Sequence, residues 1–471
     1  MYQPDYSEFD GFNSRDLWQK DKDHLIHPQS VWPSFKEKGC SVFVKGEGAY
    51  VFDADGNRYL DSNGGLWSVN IGYGNAELAE AIAEQARLLP QVNHFGDCTS
   101  APAVELAAKL AGMTPGELNH VFYTNGGTDA NDSAMRMIHH YFILQGKPEK
   151  KHIIARTDSY HGTSYMMASV SGKANTRHNR FHYVDDITHL ISSPSNYRRP
   201  SGVSLEEFRD MQVQELEDKI LEIGPERVAC FICEPIMGVG GVHEAAPGFH
   251  RKALEVCRKY GVLYVHDEVI TAFGRLGHWF ASEDVYDVVP DIICCAKGIT
   301  SGYQPLGAAL ISSEIFDVIS SAGSDASFAH GFTYTGHPVC CAAALKNLEI
   351  MERENLLEHV RRMGPYFEEK MFGLGDLPLV GDARGRSFMF ALEFVSDRET
   401  KALFPPEVQI ATRVTDAARR RGLVARGIGE MVLISPPLIL TGEQTDFIAG
   451  TLRASIEEVA GDLVREGLWQ G

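Results

Sequence analysis

The chain lacks the features that would place a protein in a membrane or on a nucleic acid. No stretch approaches the roughly 18 consecutive apolar residues of a membrane span. The first residues, Met1 to Asp5, have neither the basic nor the apolar segment of a secretory signal. Acidic residues outnumber basic ones by 63 to 44, and the net charge of −19 repels phosphate backbones and anionic lipids. We therefore expect a cytoplasmic protein without nucleic-acid or membrane partners.

The sequence also offers little support for disulfides or a metal site. Its nine cysteines include two adjacent pairs in apolar runs, Cys294-Cys295 and Cys340-Cys341, and a single Cys230-x-x-Cys233. Adjacent cysteines in such runs behave as small buried hydrophobic residues, and no second Cys-x-x-Cys completes a zinc site. The pattern indicates free thiols in a reducing compartment and predicts no bound metal.

A nucleotide-binding fingerprint is absent as well. The glycine-containing segment at residues 122–132 matches neither GxGxxG with a downstream acid nor GxxxxGK[ST]. A nicotinamide oxidoreductase, the main alternative for an α/β chain of this size, is therefore disfavoured.

What the chain does contain is the alternation typical of an α/β protein. At 471 residues it exceeds the size of a single core, so two domains are expected. An Asp-Gly turn at residues 55–56 predicts a hairpin, and a long helix is expected from Pro338 to about Glu354. Between about residues 76 and 330, helical stretches alternate with short apolar runs, which predict strands near residues 121–123, 152–155, 228–232, 263–265 and 292–294.

This alternation predicts a large domain with a mostly parallel sheet, next to a smaller α+β domain built from both termini. We expect the large domain at residues 76–335, and the two parts of the small domain at residues 1–75 and 336–471. The polar segment from about Thr188 to Leu205 is expected to be an exposed excursion between elements.

Two charged residues follow predicted strands that are close in the sequence. Lys297 follows the apolar run 292–296, and Asp267 ends the run 261–266. In open α/β sheets, ligands bind at the carboxyl ends of the strands. An amine and a carboxylate at this edge suggest a pyridoxal phosphate (PLP) site, with Lys297 as the Schiff-base lysine and Asp267 as the partner of the pyridinium nitrogen. Taken alone, Lys297 is more typical of a solvated strand end, because most lysines are surface groups.

Three further segments are expected at the same edge. Gly126 and Gly127 lie between a predicted strand and a helix, where free N–H groups and the helix dipole favour a phosphate, although they are also compatible with a simple turn. Tyr160 follows a second strand and offers an aromatic face to a pyridine ring, or it is a core tyrosine. Glu234 ends a third strand, where it would pair with a mobile arginine, hold a substrate amine, or bond to the backbone.

Together these segments resemble the class III aminotransferases, which are PLP enzymes of fold type I, over nearly the whole chain. The resemblance is carried by six ordered blocks, at residues 127–131, 159–162, 233–236, 267–275, 296–298 and 332–338. It implies that Lys297 binds PLP covalently, that Asp267 contacts the pyridinium nitrogen and that Tyr160 stacks on the ring. The other cofactor-binding residues that it implies are Gly127 and Thr128 at the phosphate, Glu234, Val269 on the second ring face, Ile270 beside the ring and Thr333.

The resemblance also implies an assembly. Thr333 would reach the phosphate bound by a neighbouring subunit, as in family dimers whose active sites are shared. We therefore expect a homodimer or a dimer of dimers.

Within the family, the sequence favours the amine:pyruvate branch. The 4-aminobutyrate and ornithine enzymes usually carry Gln where this chain has Ile270. By resemblance, Trp67 and Phe95 would form walls of the substrate pocket, and Arg426 would bind the carboxylate of pyruvate or alanine, since a guanidinium forks onto a carboxylate. Gly96 stands where relatives often place a second bulky aromatic residue, so a roomier or more polar donor pocket is expected.

The expected activity is transfer of an amino group from a primary amine or ω-amino acid to pyruvate, which gives alanine by a ping-pong scheme through Lys297. Diamines such as putrescine, β-alanine, taurine and arylalkylamines all suit this branch, and the sequence does not choose among them. The alternatives are an aminomutase or decarboxylase of the same fold, and a non-catalytic PLP-fold binding protein. We expect cationic neighbours to lower the pKa of Lys297 toward that of a usable base.

Overall fold

A computed structural model describes residues 12–173, 177, 181–323 and 326–470 of the chain. The amino-terminal residues Met1 to Asp5, whose composition underlies the expectation of no leader, lie outside this range.

The helices are α1 (Ser14–His24), α2 (Trp32–Lys38), the single turn α3 (Gly64–Trp67), α4 (Ala76–Leu88), α5 (Ala101–Ala111), α6 (Gly127–Leu144), α7 (Tyr165–Val170), α8 (Leu205–Ile223), α9 (Phe249–Lys259), α10 (Ser282–Tyr286), α11 (Ser313–Ser320), α12 (Pro338–Arg353), α13 (Leu356–Phe372), α14 (Ile410–Arg420) and α15 (Gly442–Arg465).

The strands form one large sheet and three smaller ones. In chain order they are β1 (Phe43–Glu47), β2 (Tyr50–Asp53), β3 (Arg58–Asp61), β4 (His120–Thr124), β5 (His152–Arg156), β6 (Thr188–Ile191), β7 (Val228–Cys233), β8 (Ile236–Met237), β9 (His243–Glu244), β10 (Leu263–Asp267), β11 (Ile292–Cys295), β12 (Gly307–Ile311), β13 (Val380–Arg386), β14 (Met389–Phe394), β15 (Leu423–Val424), β16 (Arg426–Ile428) and β17 (Met431–Ile434).

The large sheet has the order β4-β12-β11-β10-β7-β5-β6. Its strands are parallel except β12, which runs antiparallel to both neighbours. This confirms the mostly parallel sheet and all five predicted strands. β7 and β10 are buried at every position, because helices cover both faces of the sheet, and unbroken apolar runs are typical of such strands.

Two strands of this sheet were not predicted. β12 has the sequence Gly-Ala-Ala-Leu-Ile, in which small residues give little strand signal. β6 lies at the sheet edge and pairs in parallel with β5. The prediction of an exposed excursion starting at Thr188 was therefore wrong for Thr188–Ile191, because main-chain pairing holds even a polar edge segment.

Strands from both ends of the chain share a small sheet. The predicted hairpin is confirmed as β2 and β3, and β3 also pairs in parallel with β15, so that Leu60 lies opposite Leu423. The long helix expected after Pro338 is confirmed as α12. The domain boundaries at residues 75/76 and 335/336 stay a prediction.

Local sequence signals explain where several helices begin. α8 starts at a capping box, in which Ser204 Oγ accepts from Glu207 N–H and the Glu207 carboxylate accepts from Ser204 N–H. α6 has no side-chain cap, since its N-cap is Gly126.

All nine cysteines are free, and seven of them are buried. Within the described part of the chain, no helix has the length and apolar character needed to span a membrane.

Candidate active site

The predicted lysine and aspartate meet at the carboxyl edge of the large sheet. β10 ends at Asp267, which lies opposite Cys294 of the parallel neighbour β11. β11 ends one residue later, and Lys297 then begins a 3-10 turn with a φ of 51°. Both side chains line a cavity of about 560 Å³. The expected juxtaposition of amine and carboxylate is therefore present.

The amine of Lys297 has a lowered pKa, which favours its neutral, nucleophilic form. Burial lowers its pKa to about 8, and the positive charge of Arg426 adds to this effect. Asp267 and Glu234 act in the opposite direction but do not overcome burial. Cationic neighbours were expected to be the cause, whereas loss of hydration is the larger effect.

Two residues whose roles were not predicted hold the Asp267 carboxylate. Asn131 Nδ2 donates to Asp267 Oδ2 over 2.7 Å, and His161 Nδ1 lies 2.8 Å from the same oxygen. Val269 N–H donates to Oδ1 over 3.1 Å. Both Asn131 and His161 lie in the blocks that carry the family resemblance, but only the tertiary structure shows that they converge on Asp267. The carboxylate is thus fixed in one orientation.

The start of α6 forms a cup for an anion. Ala130 N–H is bonded to Gly126 O, whereas the N–H groups of the preceding turn make no such bond among the described residues. A Cβ on Gly127 would come within 2.7 Å of Val269 Cγ1, so only glycine leaves this space open. Thr128 adds a hydroxyl beside these groups and lines the cavity. Free N–H groups at a helix start fit a phosphate.

The remaining walls of the cavity come from several elements. Tyr160, Val269, Ile270 and Trp67 line it together with Glu234 and Arg426. The Glu234 carboxylate accepts from Tyr160 N–H and, over 2.7 Å, from Gly238 N–H, while burial raises its pKa above the usual range. Of the roles considered for Glu234, the structure shows the backbone-bonded one.

Arg426 differs from Glu234 in having no fixed partner. Among the described residues, its guanidinium forms no hydrogen bond and no ion pair, although it lines the cavity. Burial lowers its pKa, and the arginine nevertheless stays charged at any physiological pH. A half-buried guanidinium that lines a cavity attracts a carboxylate.

Phe95 and Thr333 are placed elsewhere. Phe95 is 57% exposed and lies against Gly331, while Gln91 Nε2 donates to the carbonyl oxygen of Thr333. Neither residue lines the cavity of its own chain, so their contact with substrate or cofactor stays a prediction. Open space surrounds Gly96, and the effect of this glycine on the donor pocket is likewise untested.

The cavity also includes residues that sequence reasoning missed. Because they come from loops and turns, no periodic pattern marks them. They are Pro28, Gln29, Leu66, Thr163 and Val239.

Two groups of possible metal ligands occur in the described residues, each with its atoms within 4.8 Å. In one group, His250 Nε2 donates to Pro235 O, and His250 Nδ1 lies 3.3 Å from His266 Nε2 beside Cys233. In the other, His27 Nε2 lies 2.9 Å from the Asp21 carboxylate near Cys40. Hydrogen bonding accounts for both arrangements, and we assign a metal to neither.

A buried lysine, a fixed aspartate and an anion cup at one sheet edge define the site of a PLP enzyme. The model of the family "Aminotransferase class-III" matches residues 35–456. The chain belongs to this family, and its fold is fold type I.

Relatives of the chain support this assignment over nearly its full length. A putrescine–pyruvate aminotransferase of Pseudomonas aeruginosa is 39% identical over 445 residues, which are 94% of this chain and 96% of the relative. An (S)-enantioselective ω-transaminase of Thermomicrobium roseum has a TM-score of 0.93 at 40% identity and covers 96% of this chain and 100% of its own. A Pseudomonas jessenii ω-transaminase, solved in complex with PMP, has a TM-score of 0.91 at 35% identity and covers 94% and 98%.

PLP is the cofactor of this family, and the residues present fit it. Gly127, Thr128 and the free N–H groups of α6 would hold the phosphate. Asp267, fixed by Asn131 and His161, would face the pyridinium nitrogen. Lys297 would bind the aldehyde carbon.

Proposed function

We propose that this aminotransferase transfers the amino group of a primary amine or ω-amino acid to pyruvate, giving alanine. The observation that carries the proposal is the Arg426 guanidinium, which lines the same cavity as Lys297 and Asp267 and has no hydrogen-bonding or ionic partner among the described residues. The same pocket must accept an amine donor without a carboxylate and an acceptor that has one. It therefore needs a cation that is free to bind the acceptor carboxylate and has no fixed partner.

Each residue has a physical role in this reaction. When bound, PLP supplies an aldehyde carbon that takes the amine nitrogen covalently and a ring that withdraws electrons from the donor carbon. Lys297 Nζ, with its lowered pKa, takes a proton from the donor carbon and delivers it on the cofactor side. The carboxylate of Asp267, held by Asn131 and His161, would favour the protonated form of the ring nitrogen when the cofactor is bound.

The two half-reactions share one pocket. Arg426 binds the carboxylate of pyruvate through paired charge-assisted hydrogen bonds in the second half-reaction. An apolar amine in the first half-reaction contacts Trp67 and Ile270, both of which line the cavity. The same Lys297 serves both directions, so the scheme is ping-pong.

The donor class is supported by relatives and by one residue. A relative is named for putrescine and pyruvate, and Ile270 replaces the Gln expected in 4-aminobutyrate enzymes. We propose diamines and other ω-amines as donors, with β-alanine and taurine as further candidates.

The proposal extends to assembly and location. We propose a homodimer or dimer of dimers in which Thr333, and with it Phe95, contribute to the pocket of a neighbouring subunit. The proposal is supported by the position of both residues outside the cavity of their own chain. The segment around Phe95 contacts the segment around Thr333, since Gln91 donates to the Thr333 carbonyl and Phe95 lies against Gly331. A cytoplasmic location stays a prediction, supported by nine free cysteines.

The test is a donor panel with the PLP-loaded enzyme. Putrescine, β-alanine, taurine, 2-aminopropane and 1-phenylethylamine are each incubated with pyruvate, and alanine formation is measured. We expect alanine from at least one amine that has no α-carboxylate. Turnover of α-amino acids alone would overturn the ω-amine assignment, and turnover without any keto acid would indicate an aminomutase. A purified protein that takes up no PLP would indicate a non-catalytic binding protein.

A further inference from the structure

One wall of the active site is built on strained backbone. Gly64, Gly65, Leu66 and Trp67 have consecutive positive φ values of 54°, 61°, 88° and 65°. Glycine adopts this left-handed region freely, but for leucine and tryptophan it is costly. Non-glycine residues in such conformations persist only where the surroundings hold them, and they cluster at functional sites.

Main-chain hydrogen bonds close these residues into a single left-handed turn. Trp67 N–H donates to Asn63 O, and Ser68 N–H donates to Gly64 O, each over 2.8 Å. A Cβ on Gly64 would lie 2.6 Å from Ser435 O, and one on Gly65 would lie 2.5 Å from Val69 Cγ2. Both the conformation and the packing therefore require glycine at the first two positions.

A single carboxylate anchors the start of the turn. Asp61 is 3% exposed and accepts hydrogen bonds from Asn63 N–H over 2.8 Å, Gly65 N–H over 2.7 Å and Tyr73 Oη over 2.6 Å. Hydrogen bonds to a buried carboxylate are among the stronger ones in proteins. They offset the strain of the residues that follow.

The anchored turn carries Leu66 and Trp67, whose side chains line the cavity. Trp67 is 1% exposed, and a Cβ on Gly238 would lie 2.8 Å from its ring, so the indole is packed against the loop that Glu234 holds. Leu66 is 46% exposed and lines the same cavity. The backbone of the turn therefore sets the direction in which both side chains leave the main chain.

We propose that Asp61 is a positioning residue that sets amine-donor selectivity by holding the left-handed turn, and with it Leu66 and Trp67, against the donor. The inference rests on the proposed function, because it concerns which amines that reaction accepts. Asp61 contacts no reacting atom and acts through the wall alone.

The chain offers a matched control for Asp61. Asp53, on the adjacent strand β2, is 6% exposed and accepts from Asp55 N–H, Asn57 N–H and Tyr59 Oη. It thus has similar burial and a similar set of donors, but it holds the hairpin turn, of which no residue lines the cavity, whereas Asp61 holds the turn that carries Leu66 and Trp67.

The experiment compares Asp61→Asn with Asp53→Asn in the PLP-loaded enzyme. KM and kcat are measured for 1-phenylethylamine and for 2-aminopropane, with pyruvate as acceptor. For Asp61→Asn we expect KM for the aryl amine to rise at least ~10-fold and KM for the small amine to change less than ~3-fold, with kcat for the small amine retained. For Asp53→Asn we expect the ratio of the two KM values to stay as in the wild type.

Hydrogen exchange gives a readout that does not depend on activity. In Asp61→Asn the amides of residues 63–68 should exchange faster than in the wild type, whereas in Asp53→Asn they should not. Equal KM changes for both amines, or the same selectivity change in Asp53→Asn, would overturn the proposal. A wild-type enzyme inactive with every amine would refute the proposed function, while the exchange result would still report on the anchor.

A milder variant decides the matter if Asp61→Asn does not fold. Tyr73→Phe removes one donor to Asp61 and leaves Leu66 and Trp67 in the chain. It should shift the KM ratio in the same direction as Asp61→Asn, and an unchanged ratio would contradict the proposal.

Discussion

The active site has two halves that are built in opposite ways. The chemical half, Asp267 and Lys297, follows two parallel strands whose register places the residues at one edge. The selectivity half consists of a left-handed turn carrying Leu66 and Trp67, and of Arg426 from a short strand of another sheet. The register of the parallel strands brings Asp267 and Lys297 together, whereas a left-handed turn outside the large sheet forms the donor wall, and such a turn can change without disturbing the sheet. Variants in the two halves should therefore fail differently.

The largest effect should follow loss of the lysine itself. Lys297→Ala removes both the covalent attachment and the proton-transferring amine, so kcat should fall by at least ~10⁴-fold. Alanine formation measures the rate, and the visible absorbance of the lysine-bound cofactor should disappear. Transamination at the wild-type rate would contradict the assignment of Lys297.

Replacement of the aspartate should cost less. Asp267→Asn leaves the shape but removes the charge that keeps the ring nitrogen protonated, so kcat should fall by about 10²-fold or more. The control is Asp291→Asn, because Asp291 is similarly buried but directly precedes β11 at the other end of the strands, where Tyr264 N–H and Arg258 donate to it. That variant should lower thermal stability and leave kcat nearly unchanged. A loss of kcat in Asp291→Asn equal to that in Asp267→Asn would show that burial, not position at the edge, decides the effect.

A variant in the selectivity half should change affinity more than turnover. Arg426→Gln removes the charge-assisted pair with pyruvate, worth about 1.5–3 kcal/mol, so KM for pyruvate should rise by about 10–100-fold. KM for an amine without a carboxylate should change much less, as steady-state kinetics with both substrates varied will measure. An equal rise in both KM values would place Arg426 outside acceptor recognition.

The smallest expected effect is the pH dependence that follows from the lowered pKa of Lys297, in the chemical half of the site. Because burial lowers the pKa of Lys297 to about 8, the neutral amine becomes the main form above that pH. The rate constant for PLP recapture by the apoenzyme should therefore rise about tenfold between pH 7 and pH 9 and then level off. Stopped-flow absorbance measures this rate. A midpoint near the ordinary lysine value of 10.5 would contradict the burial effect.

Prediction from the sequence succeeded for elements whose local residue composition is distinctive. The apolar runs before Asp267 and Lys297 predicted buried strands, since β-branched and bulky residues pack on both faces of a parallel sheet. It missed β12, whose small residues carry no strand signal, and it missed β6, whose pairing depends on a neighbouring strand. The roles of Asn131 and His161 also escaped it, because nothing local to either residue indicates a distant carboxylate.

The sequence by itself determined the family and the cofactor, and it predicted Lys297 and Asp267 as site residues, because strand ends and glycine-containing turns are local features. Only the tertiary structure decided that burial is the main cause of the lowered pKa of Lys297, since loss of hydration depends on everything packed around the amine. It likewise showed that the Arg426 guanidinium has no fixed partner among the described residues and that Asp61 accepts hydrogen bonds from the left-handed turn. Such properties arise from contacts between residues far apart in the chain, and no local pattern encodes them.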